Sequence, residues 1–243
     1  MFSYIFILLI QIQIAFLYHL TIDTSNKIDE TQFNCLTNYT NSTIIIGGGN
    51  GKVDPNLAYN LDQINSSEMM FIGIYITPSI NLPVLDQIKP ILDVLMPYSS
   101  LLPFVFYNVT FDSQNNWSQN FSENIQFITT LLDDTWAYAN TFVGIYTDKI
   151  SWTKITNNSA LPDFDSYVFL WERIYSGSQN CSNTSTPFGP WNDPDFLRYS
   201  ISPSQECNVV FNQDLWCSLG LDSSDFHPFF ENIKLAKLKK KFH

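Results

Sequence analysis

Positive charge is scarce in this chain, and the motifs of cofactor chemistry are missing from it. Lysine and arginine number 12 against 23 acidic residues, a formal net charge of -11. Phosphate backbones repel such a surface, which argues against nucleic acid as a partner and favours neutral or cationic ligands. The three histidines, His19, His227 and His243, lie towards the two ends of the chain. The four cysteines, Cys35, Cys181, Cys207 and Cys217, form no Cys-x-x-Cys and no His/Cys spacing typical of zinc, so no metal is assigned. No Gly-x-Gly-x-x-Gly is present, and the run Gly47-Gly48-Gly49-Asn50-Gly51 opens no Lys-Ser; it reads as a tight turn after a strand. No cofactor is expected. Past the N-terminus, no segment is long and apolar enough to span a bilayer.

What is present points to one secreted domain. A length of 243 residues suits a single barrel or one large α/β domain, and a hydrophobic share of 45% is enough to fill its core. Met1 to Leu17 carries no charge and includes the run Tyr4 to Ile10, which reads as a secretory leader over residues 1–18, although the customary Lys or Arg before it is missing. Asn-x-Ser/Thr acceptors occur at Asn38, Asn41, Asn65, Asn108, Asn116, Asn120, Asn157, Asn180 and Asn183. Their density beside such a leader favours the secretory route, with secretion or a lysosomal or phagosomal destination, where four cysteines permit two disulfides. Residues 228–243 hold Lys234, Lys237, Lys239, Lys240 and Lys241, a basic tail that reads as a solvated extension or a short amphipathic helix touching an anionic surface. The domain between, residues 19–227, is expected to be monomeric.

Strand-like runs alternate with helical ones. The strand candidates are 20–23, 43–47, 71–76, 103–107, 142–146, 167–171, 197–200 and 209–211, and their continuous β-branched and aromatic character predicts burial on both faces, as in a parallel sheet. Helical periodicity falls on 29–38, on 54–64 after an Asp-Pro cap, on 85–96 with a kink or break at Pro90, and on 122–139 after a capping Ser122. Strand then helix, repeated four times and followed by strands with shorter connections, predicts an α/β fold: a single (β/α) TIM-type barrel, flattened and irregular in its second half. An open doubly wound sheet is the alternative.

Several segments, in order, resemble the lysozyme-like branch of glycoside hydrolase family 25 found in protists and nematodes. The most specific is Val143 to Thr156, a Gly-Ile-Tyr-Thr run closed by Trp152 and Ile155-Thr156, similar to the family's fifth strand and the turn after it. Asp23-Thr24-Ser25, the Phe-x-Cys-Leu at Phe33 to Leu36, Val53 to Ala58 and Tyr75 to Pro78 match earlier pieces. Leu170-Trp171, Pro187 to Trp191, Arg198-Tyr199 and Cys207 to Asp214 follow in family order, so the likeness runs from about Leu20 to Leu215. The resemblance implies a somewhat flattened β/α barrel that acts on bacterial peptidoglycan at the link after N-acetylmuramic acid. It also implies a disulfide between Cys35 and Cys207, which match family cysteines, and leaves Cys181 to Cys217. Asp23 falls on the family's first-strand acid, and Asp214 at or next to its final-strand acid, with Asn212 in that place in the alternative register.

The family's fourth strand carries its acids as Asp-x-Glu; here the matching stretch is Tyr107-Asn108-Val109-Thr110. Glycoside cleavage needs a proton for the leaving oxygen and a stabiliser for the positive charge at the sugar carbon. Asn108 holds no negative charge and Thr110 is no acid near neutral pH. Asp112, two positions past Thr110, and Glu172, at the end of the sixth strand, are the candidate substitutes; a solvated or paired surface carboxylate is the plainer reading of each. Asp23 and Asp214 are read as catalytic remnants, and Asn108, Thr110, Tyr75, Tyr107 and Trp171 as substrate-binding. Aromatics make up 16% of the chain, and Trp152, Trp191 and Tyr175 also fall near strand ends, where rings either stack on sugar faces or pack in the core. Three readings stand: a lysozyme-like protein that binds wall glycan without cutting it, an active muramidase with relocated acids, and a scaffold or immune-signalling protein with no glycan.

Overall fold

The computed structural model describes residues 19–40, 43–65, 71–101, 104–111, 117–162, 168–174, 181, 187–200 and 204–217. The expected leader, the basic tail, Asp112, Tyr175 and the acceptors Asn41, Asn116, Asn180 and Asn183 lie outside the described residues.

Eight strands close into one barrel in chain order. They are β1 (His19–Thr24), β2 (Thr43–Asn50), β3 (Phe71–Thr77), β4 (Phe104–Asn108), β5 (Phe142–Thr147), β6 (Phe169–Arg173), β7 (Phe196–Arg198) and β8 (Asn212–Trp216). The helices between the first six are α1 (Glu30–Leu36), α2 (Leu57–Asn65), α3 (Val84–Leu95), α4 (Phe121–Ala139) and α5 (Lys149–Thr156), with a 3-10 turn over Met96–Leu101. A closed β/α barrel replaces the open-sheet alternative. Among the described residues, no α-helix separates β6, β7 and β8, only a 3-10 turn over Glu206–Asn208, and this is the irregular half.

The parallel reading holds from β1 to β7 and fails at β8, which runs antiparallel to both β7 and β1. The described part of the connection after β7, residues 199–200 and 204–211, holds a single 3-10 turn and no helical crossover, and β8 runs back down the barrel. The apolar cluster 209–211 is therefore not the last strand: Phe211 makes an isolated bridge to Ser204, and β8 starts at Asn212. Its polar opening, Asn-Gln-Asp, hid it from a reading keyed to apolar runs.

Local chemistry sets the other boundaries. Asp29 and Gln32 form a capping box that starts α1, with Gln32 N–H donating to Asp29 Oδ1 at 2.8 Å and Asp29 N–H to Gln32 Oε1 at 2.9 Å. α2 starts at Leu57, three residues later than the Asp-Pro cap suggests, because Asp54 closes a turn onto Asn56 N–H first. α3 continues through Pro90 and buries Ile88, Ile91, Leu92 and Leu95 on both sides of it, so the expected break does not occur. α4 is capped by Asn120, which accepts from Ser122 N–H, and not by Ser122 itself. α5 stands where a turn was expected: Asp148 caps its first turn and Asn157, at φ 56°, ends it. The glycine run is strand up to Asn50, with Gly48 bulged between the pairs Gly47–Tyr75 and Gly49–Ile76. The turn comes after it. Gly49 sits at φ 138°, where a Cβ would meet Lys52 O at 1.8 Å, so no other residue fits.

Alternation along the strands divides the core in two. Ile22, Ile44, Ile46, Ile74, Val105, Tyr107, Val143 and Ile145 face the helices and pack with α1 to α5. The opposite set fills the barrel with rings. Phe104 stacks on Phe106 and Phe142 and meets Phe169, Phe196 and Trp216 edge-on. Gly144 makes this filling possible, since a Cβ there would come within 2.6 Å of the Phe106 ring. Disulfides join Cys35 to Cys207 and Cys181 to Cys217, the first tying α1 to the segment before β8.

Candidate functional site

The carboxyl ends of β1 to β7 open at one end of the barrel, and the ring-filled interior stops short of it. The inward side chains there are polar: Asp23, Tyr75, Asn108, Tyr146, Arg198 and, from the start of β8, Asn212 and Asp214.

Arg198 organises this group. Its guanidinium ion-pairs with Asp23, lies 3.5 Å by Nε from Asp214 Oδ1, and donates by Nη1 to the Tyr146 hydroxyl at 2.7 Å. It also sits over two rings, 4.6 Å from the Tyr146 centroid and 4.8 Å from that of Trp171. Side-chain exposures of 12% for Arg198, 5% for Asp23 and 0% for Asp214 place the whole set away from bulk water. Burial opposes the arginine's charge, but Asp23 and Asp214 outweigh it and hold its pKa above the ordinary value.

Two carboxyl groups face one cation, so one proton restores neutrality. The deeper Asp214 is the one that holds a proton more tightly: burial first, then the neighbouring Asp23 charge, lift its carboxyl well above the usual range. Trp171 Nε1–H donates to Asp214 Oδ1 at 2.9 Å and fixes its orientation. Asn212 pairs with Asp23 across β1 and β8 and donates to Asp23 Oδ1 at 3.1 Å, while Asp214 pairs with Thr21 one level further in. Asn212 is thus the β8 residue level with Asp23.

On the far side of the mouth, Asn108 and Thr110 share one face and satisfy each other. The Thr110 hydroxyl donates to Asn108 Oδ1 at 2.8 Å, and Asn108 Nδ2 donates to Thr77 Oγ1 at 3.3 Å. A polar bridge of neutral groups stands there. Tyr75 is half-buried at the mouth with its ring edge-on to Trp171, and its hydroxyl pKa is raised by burial and then by Asp23.

Three of the sequence assignments are corrected by this geometry. Tyr107 is fully buried, its hydroxyl bonded to Thr135 on α4, so it packs between sheet and helix and not in the mouth. Trp171 lies inside the barrel at 0% exposure and offers no open face to a sugar; it positions Asp214 and Arg198. Glu172 points the opposite way from Trp171 and Arg173, outward beside Leu170, Phe188 and Trp191, and cannot stand in for a mouth acid. Trp152 and Trp191 likewise pack on each other, outside the barrel. Arg198 is the residue that sequence reasoning missed. Its signal was parity, two positions past the inward Phe196 at the end of a strand. Among the described residues, no group of three or more His, Cys, Asp or Glu is placed to hold a metal ion.

A closed eight-stranded barrel with Asp23 at the carboxyl end of β1 and Asp214 near it on β8 defines a protein of the TIM-type barrel class with a polar mouth. The chain belongs to the lysozyme-like protein family: residues 15–199 match the family described as Lysozyme-like protein 1. It is 25% identical over 217 residues to a probable GH family 25 lysozyme 5 of Dictyostelium discoideum, covering 88% of this chain and 97% of that protein. Its fold is similar to that of a family GH25 lysozyme from Aspergillus fumigatus, with a TM-score of 0.62 at 12% identity over 86% of this chain and 97% of the other. It is also similar to the modular autolysin LytC of Streptococcus pneumoniae, solved with a synthetic peptidoglycan ligand. There the TM-score is 0.61 at 17% identity, over 82% of this chain and 46% of that one.

Proposed function

We propose that this is a secreted lysozyme-like protein that binds bacterial peptidoglycan and has lost hydrolysis by the two-carboxylate route. One observation carries the reading. Where that route needs an acid and a second carboxylate on β4, Asn108 and Thr110 are bonded to each other, and neither supplies a proton or a negative charge. The acids that remain do not compensate. Asp23 is neutralised by Arg198, and Asp214 is buried beneath it. Loss of the general acid alone removes a factor of about 10²–10⁴ in rate.

Two disulfides fit an oxidising compartment and so support the secretory route, with the exterior or a lysosome as destination. Asn38, Asn65 and Asn157 are exposed and suit glycans, whereas the Asn108 acceptor has its amide and Thr110 hydroxyl engaged in the mouth. The affinity for wall glycan is drawn from the family and from the LytC ligand.

The test is one preparation assayed twice. Purified protein is mixed with insoluble peptidoglycan; sedimentation measures binding, and reducing ends in the supernatant measure cleavage. Binding without release is the expected result. Release at the rate of an active GH25 lysozyme would overturn it.

A further inference from the structure

The side of the mouth formed by β1, β2 and β3 differs from the floor built on Arg198. Gly47 on β2 points inward, by alternation with the outward Ile46, and pairs with Tyr75 on β3. A carbon placed on Gly47 would lie 3.2 Å from Ser25 Cβ, just after β1, and 3.5 Å from Asp54 Oδ2, on the connection after β2. The Asp54 carboxylate therefore reaches over the mouth above Gly47. Local hydrogen bonds fix it there: Asp54 N–H donates to Gly48 O at 3.0 Å, Asp54 O accepts from Leu57 N–H at 3.0 Å, and Oδ1 accepts from Asn56 N–H at 2.7 Å. Oδ2 is left to face the space beside Tyr75.

Three other acids at this end are committed. Asp23 is paired with Arg198, Asp214 lies buried beneath it, and Asp148 caps α5 while pairing with Arg173. Among the described residues, no lysine or arginine pairs with Asp54. Its half-buried neighbour Tyr75 adds no charge of its own. Burial first, then Asp23, opposed by Arg198 and aided by Asp54, raise the pKa of the Tyr75 hydroxyl and keep it protonated.

Building on the proposed function, we infer that Asp54 and Tyr75 form a subsite for an ammonium group, so that the mouth selects wall glycan bearing free glucosamine amines over the fully N-acetylated form. An ammonium brings three N–H donors and a positive charge; the Asp54 carboxylate accepts one donor in a charge-assisted hydrogen bond, and the Tyr75 oxygen accepts another. Space points the same way. A single carbon over Gly47 already meets Ser25 and Asp54, so a bare amine fits here better than an acetamide. One carboxylate cannot act as both proton donor and charge stabiliser, so the subsite recognises without cutting. A formal net charge of -11 favours the approach of such a ligand.

Sedimentation of the full chain at low salt tests this on two solids: fully N-acetylated peptidoglycan and the same peptidoglycan after de-N-acetylation. Binding to the amine-bearing form should be at least about tenfold tighter, the scale of one charge-assisted hydrogen bond. Asp54→Asn keeps the oxygen that accepts from Asn56 N–H, so its melting curve should be unchanged while the preference disappears. Tyr75→Phe keeps the ring and should lower the preference about threefold. Asp86→Asn removes the same charge from an exposed position on α3 and controls for the attraction of an acidic chain to any polycation; it should leave the preference intact. Equal or weaker binding to the amine-bearing form, a preference that survives Asp54→Asn or is untouched by Tyr75→Phe, or one that Asp86→Asn removes equally, overturns this inference and leaves the proposed function standing. Failure to bind either preparation overturns the proposed function as well.

Discussion

Replacing Arg198 with methionine tests whether its guanidinium holds the mouth together. Methionine keeps comparable length and a polarisable surface for the Tyr146 and Trp171 rings, so packing is disturbed little. What is lost is, among the described residues, the one positive charge paired with Asp23 and Asp214, whose side chains are 5% and 0% exposed. Burial favours the neutral form of Asp214, which leaves the Arg198–Asp23 ion pair as the charged contact of the site. The variant leaves the buried Asp23 side chain without its ion-pair partner, and breaking a buried pair in this way costs about 3–5 kcal/mol. Against a typical stability of about 5–15 kcal/mol, the melting point should fall by about 6–20 °C at pH 7. Denaturant unfolding of four proteins closes the cycle: unsubstituted, Arg198→Met, Asp23→Asn, and both together. The double variant should recover most of the Arg198→Met loss, because no unmatched charge remains. A loss below about 1 kcal/mol, or an additive double variant, would show the ion pair to be incidental and refute the reasoning.

Other consequences are open to measurement. The native Asp214 carboxyl keeps a proton that the unfolded chain releases above about pH 4, so stability should fall as pH rises from there through the native pKa, by at most about 1.4 kcal/mol per pH unit. Asp214→Asn keeps an oxygen for Trp171 Nε1–H and should flatten that slope in urea midpoints taken between pH 4.5 and 8; an unchanged slope would assign the proton elsewhere. Tyr107→Phe removes the hydroxyl bonded to Thr135 and should cost about 1–2 kcal/mol in denaturant unfolding without altering wall binding; a binding loss would return Tyr107 to the site. Removing the Cys35–Cys207 bond by paired Ala substitution frees a loop of 172 residues in the unfolded chain and should cost about 5 kcal/mol on the loop-entropy scale, read as a lowered unfolding midpoint.

How far the sequence disclosed this molecule depends on which physical signal each element carried. β1 to β6 announce themselves by apolar runs because both of their faces are buried. β8 does not, since its inward residues Asn212 and Asp214 belong to the polar mouth. α5 escaped notice because Thr153 and Ile155 favour strands and only Trp152 and Ile155 mark its buried apolar side, though Asp148 with Ser151 three residues on was a usable cap signal. Two of the three corrected site assignments, Tyr107 and Glu172, share one reason. Tyr107 and Asn108, or Trp171 and Glu172, are neighbours on a strand, and neighbours face opposite ways, so at most one of each pair can enter the mouth. Parity alone would have removed Tyr107 and Glu172 and kept Asn108.

The same parity explains why the mouth is built as it is. Asp23 on β1 and Asp214 on β8 are brought side by side by the antiparallel pairing that also sets Asn212 against Asp23. Two acids this close, in a barrel filled with rings, cannot both remain charged without a cation, and Arg198 reaches them from β7, where its partner across the strands is Asp214. In a glycosidase, a carboxyl pair with pKa values pushed apart divides the work of acid and stabiliser, provided a sugar can reach both. Here Asp214 has its carboxyl raised by burial, but it is sealed beneath Arg198, which holds the outer acid in an ion pair. The electrostatics that would serve catalysis instead stabilise a closed floor beneath the mouth.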